Sequence, residues 1–290
     1  MKNWIIWVLA VLLTLGAAYY QRKTGPTYPL HVKAELAGQK IAFTLPRSHT
    51  TDKDCPVALN LPGQNITGKI MYRIFPAAAK WDTVAMQREG DLLKASLPAQ
   101  PAAGKLAYKI ILSENNQELS LPVEEPVVIR FKGSVPASIL IPHVIFMFFA
   151  MLLSTIAGLM ALWQKRRYKT YAWITLLLLI IGGGILGPVV QKYAFGDLWT
   201  GIPFGWDLTD NKTLIALIFW IAAVLLNIKQ KRPAWVVVAA VVLLLVYSIP
   251  HSLFGSEFNY ETGKVTQGMI LPLFWIGTRL NRKKRVGKTG

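Results

Sequence analysis

Cysteine is almost absent from this chain: Cys55 is the only one in 290 residues. A single thiol forms no intramolecular disulfide, and no CxxCH motif exists for covalent c-type haem. Cys55 does not follow the apolar leader, so it is no lipid-attachment cysteine and reads as a semi-buried small residue. Acidic residues are also scarce, 15 against 32 Lys and Arg, giving a net charge of +17. The long apolar segments lack ionisable side chains. Ion and proton pathways through a membrane need buried charged groups, so an ion-coupled transporter is disfavoured. No P-loop, G-x-S-x-G elbow or HExxH motif is present. No reaction is named by any motif, and the chain reads as a non-enzyme.

What is present is a charge pattern. Apolar segments of spanning length alternate with short loops, and the basic clusters fall on alternate loops: Lys165, Arg166, Arg167 and Lys169, then Lys229, Lys231 and Arg232, then Arg279 to Lys288. The loops between hold mostly single basic residues, Lys192, Lys212 and Lys264. Basic residues in short loops stay cytoplasmic, so the pattern fixes orientation as well as insertion. The basic clusters are assigned to membrane edges and anionic lipid, and no nucleic-acid partner is expected. Mean hydropathy is +0.37.

The expected organisation is a multi-pass α-helical membrane protein with an inserted extracytoplasmic all-β domain, in the bacterial inner membrane. Residues 1–24 are an N-terminal anchor or signal segment, 25–134 the β domain, 135–280 the helical bundle and 281–290 a basic cytoplasmic tail. Two readings compete for residues 4–20: a cleavable signal peptide with Gly16-Ala17-Ala18 at the cleavage site, or a retained anchor. We take the anchor. Further spans are expected over 139–163, 171–190, 214–228 and 235–249, with Thr209 or Asp210 as N-cap of the 214–228 span. Gly182-Gly183-Gly184 and Gly187-Pro188 predict close packing and a kink. A sixth, short or tilted span over 265–280 returns the basic tail to the cytoplasm; the alternative is a re-entrant or interfacial segment.

Residues 28–132 read as short strands separated by turn residues: 31–36, 40–45, 68–75, 81–86, 92–97, 105–112 and 127–131. Spacing of this kind indicates a β-sandwich. Leu97-Pro98 followed by Ala107-Tyr108-Lys109-Ile110 resembles the L-x-P … Y-x-V passage of immunoglobulin-like and fibronectin type III domains. The resemblance implies that Tyr108 is structural and that this region is a binding or spacer module.

Candidate chemistry sits at the outer membrane face. His143, in Pro142-His143-Val144, and His251, in Pro250-His251-Ser252, are placed there by the topology. Two facing imidazoles suit axial ligation of haem b, or another metal. The alternative is that each caps loop backbone. His31 and His49 are read as surface residues. The loop 195–213 carries Asp197, Asp207 and Asp210, a candidate site for a hard cation such as Ca²⁺. Trp199 and Trp206 from this loop, with Glu257 and Tyr260 from the next outer loop, form a candidate partner-facing surface. If the β domain folds down, His143, His251 and both loops make one outer site. The functional expectation is a non-enzymatic accessory or assembly subunit of a membrane complex, in contact with lipid and a membrane or periplasmic protein. The alternative is a haem- or metal-binding subunit in electron transfer; a small-solute channel or transporter is a third class, disfavoured by the apolar spans.

Overall fold

The computed structural model of the chain describes residues 2–36, 39–62, 65–76, 80–115, 117–251 and 256–266. Helix α1 (Asn3–Thr24) comes first. Its buried residues, Ile6, Ala10 and Thr14, recur every four positions and so form one face. The remaining apolar side chains of α1, from Trp4 to Leu15, are largely exposed.

Eleven strands follow. They are β1 (Leu30–Leu36), β2 (Gln39–Leu45), β3 (Ser48–Thr50), β4 (Cys55–Asn60), β5 (Thr67–Ile74) and β6 (Asp82–Ala85). Next come β7 (Gln87–Glu89), β8 (Leu92–Leu97), β9 (Lys105–Glu114), β10 (Gln117–Leu121) and β11 (Val127–Lys132). One sheet has the order β3-β11-β9-β5-β6, with β10 also pairing with β9. The other has the order β4-β8-β7, and β1-β2 is a separate hairpin. All these pairings are antiparallel except β11 with β3, which is parallel and sets Arg130 beside Ser48 and Lys132 beside Thr50.

Both sheets and the hairpin bury side chains in one core. Val57 and Leu59 come from β4, Leu93 and Leu97 from β8, Ile70 from β5, Leu106, Tyr108 and Ile110 from β9, and Phe43 from β2. The seven expected strand runs all appear. The unexpected strands are β3, β4, β7 and β10. Strand β4 does alternate, with Cys55, Val57 and Leu59 buried and the residues between them exposed. Pro56 hides it from a sequence reading, and an edge position in its sheet is what tolerates that proline. Tyr108 is fully buried and its hydroxyl donates to the Pro46 carbonyl at 2.9 Å, so it ties β9 to the turn after β2.

The helices are α2 (Ala137–Leu162), α3 (Tyr168–Leu179), a π-helical stretch (Ile180–Leu186), α4 (Gly187–Phe195), α5 (Leu208–Lys229) and α6 (Pro233–Ser248). Among the described residues, four helical segments are long and apolar enough to cross a membrane: 3–24, 137–162, 168–195 and 208–229. Helix α6 is apolar but shorter. Helix α2 is central and packs against α1, α3 and α6. Ten of its residues between Ala150 and Ala161 are buried, nearly all round the helix.

The glycine-rich part of the third segment packs as expected. A Cβ at Gly182 would lie 2.9 Å from Phe146 Cβ and Met147 Sδ, and one at Gly183 would lie 2.8 Å from Thr213 Cγ2. The backbone widens to π-helix over the same residues. Pro188 has no amide proton to donate to the carbonyl four residues back, which favours such a shift.

One expectation needs correction. Helix α5 begins at Leu208, not 214, and its cap is Asp207, not Thr209 or Asp210. The Asp207 carboxylate accepts from the Thr209 and Asp210 amides. The earlier start brings Asp210 and Lys212 inside the helix, where both are buried. The short span expected over 265–280 lies, apart from its first two residues, outside the described residues. Val265 and Thr266 belong to β13 (Lys264–Thr266), which pairs with β12 (Glu257–Asn259) in a hairpin.

The Cys55 thiol is 1 % exposed, and burial pushes its pKa up to about 11. Only the thiolate is nucleophilic. Iodoacetamide at pH 8 should therefore leave Cys55 unmodified in the folded protein and alkylate it after denaturation, as read by intact mass. Gly158 of α2 lies against α6, and a Cβ there would come 2.5 Å from Ala240 Cβ. Gly158→Leu should force the helices apart, costing about 1–3 kcal/mol and lowering the thermal midpoint in detergent.

Candidate functional site

The β region meets one end of the helical bundle through several contacts. The first is in the connection itself: Gly133 N–H donates to the Ala194 carbonyl at 2.9 Å, joining the end of β11 to the end of α4. The second is the β12-β13 hairpin, which turns back onto the β region. Glu257 pairs with Lys105 at 2.6 Å, and both side chains are largely buried. The Tyr260 hydroxyl donates to Gln100 Oε1 at 2.8 Å, and Phe258 N–H donates to the Ala103 carbonyl at 3.2 Å. A Cβ at Gly104 would lie 2.9 Å from the Tyr260 hydroxyl, so glycine there admits the close approach.

Arg130 of β11 lies between these contacts. It is 8 % exposed. One terminal nitrogen donates to the Ser256 carbonyl at 2.8 Å, and the guanidinium sits 4.4 Å from the centroid of the Phe195 ring. Burial pulls its pKa down to about 10, partly offset by Asp207 and Glu257, so it is charged at pH 7. Its Nε is buried without a hydrogen-bond partner.

The loop 196–207 folds onto the start of α5. Asp210 gathers it: the carboxylate accepts from the Thr200 amide at 2.6 Å, the Thr200 hydroxyl at 3.1 Å and the Gln191 amide at 3.0 Å. Asn211 Oδ1 accepts from the Ile202 amide at 2.8 Å. A Cβ at Gly201 would lie 2.6 Å from Asp210 Cβ, so the turn depends on glycine. The tip exposes Leu198, Ile202, Phe204 and Trp206.

A cavity of about 790 Å³ lies between the β region and the helices. Arg130, His143, Gln191, Asp207, Asp210 and His251 are among its lining residues. The two histidines, 108 positions apart in sequence, thus open onto one space. His143 Nδ1 lies 2.9 Å from the Gly182 carbonyl in the π-helical stretch. A carbonyl only accepts, so Nδ1 carries the proton and Nε2 keeps its lone pair. His251 is exposed and lines the same cavity. Two imidazoles opening onto one space are suited to metal or haem ligation.

The three carboxylates do not gather as a cation site. Asp197 is exposed, while Asp207 and Asp210 spend their oxygens on the α5 cap and the preceding loop. Among the described residues no group of three or more His, Cys, Asp or Glu is arranged to hold a metal ion. Of the four surface candidates, Trp206 is 58 % exposed, whereas Trp199 lines the cavity and donates to the Ile202 carbonyl at 3.1 Å. Glu257 and Tyr260 reach the chain's own β region, as above. Arg130, Gln191 and Lys212 were not singled out from the sequence. The available signal for Arg130 was a lone charge inside the apolar strand Val127–Phe131.

Compared with known proteins, the chain matches no protein-family model, and no curated protein matches it.

Asp210→Ala removes the acceptor for three donors. The expected cost is on the order of 3 kcal/mol, with proteolytic cleavage appearing in the loop 196–207 before the helices unfold. Limited proteolysis followed by mass mapping reads both effects.

Proposed function

We propose that this chain is a multi-pass inner-membrane protein of non-enzymatic, accessory type, whose outer β domain and helical bundle together enclose a ligand-binding chamber. The observation that carries the reading is the cavity of about 790 Å³ with walls from both parts. A tethered spacer needs no such closure, whereas a receptor or accessory subunit does.

Orientation rests on charge. The β region adjoins the start of α2 and the start of α5, so the basic turns Lys165–Lys169 and Lys229–Arg232 fall at the opposite end of the bundle. The positive-inside rule makes that end cytoplasmic and the β domain extracytoplasmic. Support for the immunoglobulin-like reading comes from strand order. With β3 to β9 and β11 read as A′, B, C, C′, D, E, F and G, the sheets become A′-G-F-C-C′ and B-E-D, the arrangement of that sandwich. The exposed aromatics Phe204 and Trp206 suit the headgroup layer. A protein partner of the outer face remains part of the proposal, with the loop tip at Leu198–Trp206 as its contact.

A second reading is favoured by the histidines. Both open onto the chamber, and His143 already uses Nδ1 on the Gly182 carbonyl, as metal-bound histidines commonly do. A b-type haem or single metal ion between them would make this an electron-transfer subunit.

Single-cysteine variants in a Cys55→Ala background test the first reading. Lys132→Cys lines the chamber, and Lys288→Cys lies in the basic tail. A membrane-impermeant maleimide should label the former from the outer side and the latter only after the membrane is opened. Labelling of both, or the reverse order, would sink the orientation. An absorption spectrum of the purified protein, oxidised and reduced, tests the second. A Soret band with a reduced α-band, lost in His143→Ala, would establish it, and a colourless, metal-free sample would remove it.

A further inference from the structure

The chamber has two unlike halves. On the β side, the parallel pairing of β3 with β11 sets Arg130 beside Ser48 and Lys132 beside Thr50. Side chains alternate along a strand, so Arg130 and Lys132 share one face while Phe131 points into the sandwich core, where it is fully buried. All four residues of that face, two cations and two hydroxyls, line the chamber. Arg130 is nine-tenths buried with its Nε unpartnered. Among the described residues Lys132 enters no ion pair.

The chamber's carboxylates are engaged elsewhere. Asp210 accepts three hydrogen bonds from Thr200 and Gln191. Asp207 caps α5 through Oδ1 and accepts from the Ser256 hydroxyl at 3.4 Å through Oδ2. Among the described residues Arg130 and Lys132 are thus the wall cations without an ion pair, with the Ser48 hydroxyl beside Arg130, while Thr50 is hydrogen-bonded to the Asp52 carboxylate.

The helix side is apolar. Leu140, Val144, Met147, Phe148 and Met151 of α2 line the chamber. Their spacing of three and four residues makes one stripe, about 16 Å long at 1.5 Å per residue. Leu140 is 39 % and Val144 54 % exposed, so the stripe is accessible to a ligand.

The geometry points to a ligand with an anionic head and an apolar tail. The head, a phosphate or carboxylate, takes the Arg130 guanidinium, Lys132 Nζ and the Ser48 hydroxyl. The tail lies along the α2 stripe. This assignment rests on the proposed chamber and names what fills it.

The test uses the full chain purified in a detergent with an uncharged head. Hexadecyl phosphate carries head and tail, hexadecanol the tail alone, and inorganic phosphate the head alone. Hexadecyl phosphate at roughly 100-fold excess over its Kd should raise the thermal midpoint by at least about 5 °C, while the other two leave it nearly unchanged. Lys132→Gln, at an exposed position, should fold normally and weaken binding about tenfold. Val144→Trp, also exposed, should fill the stripe and weaken hexadecyl phosphate by a similar factor. A shift as large with hexadecanol would overturn the anionic head, and one as large with inorganic phosphate would overturn the tail. Unchanged binding in both variants would place the amphiphile elsewhere and overturn the site. Maleimide labelling of Lys132→Cys separates this failure from that of the chamber: labelling as expected without ligand binding rejects the ligand class alone.

Discussion

The arrangement depends on one buried cation. Arg130 belongs to the last strand of the β region, yet it touches three parts of the chain that lie far from it in sequence. It stacks on Phe195 at the end of α4, donates to the Ser256 carbonyl before the β12-β13 hairpin, and faces the Asp207 and Glu257 carboxylates. A guanidinium this buried is stable only with such partners. Its desolvation is offset by contacts from the end of α4, the last loop and the start of α5, and those contacts hold the β region against the helices. The chamber is the space left between them.

Close approach of backbones is the second constraint. Gly158, Gly182 and Gly183 stand where any larger residue would collide with a neighbouring helix. The widened π-helical turns occupy the same stretch as the glycines, and the carbonyl of Gly182 becomes the acceptor for His143. Packing and candidate chemistry are therefore coupled: the residues that let α2 and the third helical segment touch also orient an imidazole toward the chamber. At the other end of the bundle the loads are simpler. Asn227 accepts from the Tyr168 hydroxyl and the Arg232 amide at 2.8 Å each, tying α3 to the turn between α5 and α6.

The strands and helices were legible because periodicity is local. Strand-length runs between turn residues located seven strands, and long apolar runs located most of the helices to within a few residues. Where reading fell short, a competing signal intervened. Pro56 masked β4, and Asp207 took the capping role because the loop before α5 folds back on the helix rather than running straight into it. The sequence of 257–266 reads as a plain loop and the approach to a span, since the three-residue strands of its hairpin carry too few alternations to register.

The sequence by itself determined the class of the protein: an apolar chain with few acids, basic clusters on alternate loops, and strands punctuated by proline and glycine. These follow from residue type and neighbours a few positions away. It also placed His143 and His251 at the same end of the bundle, because helix direction follows from counting spans. Only the tertiary structure decided that the two line one chamber, that Glu257 and Tyr260 turn inward to Lys105 and Gln100, and that Arg130 closes the junction. Those relations join residues more than a hundred positions apart. No local pattern encodes them, because they arise from how the β region and the helices meet.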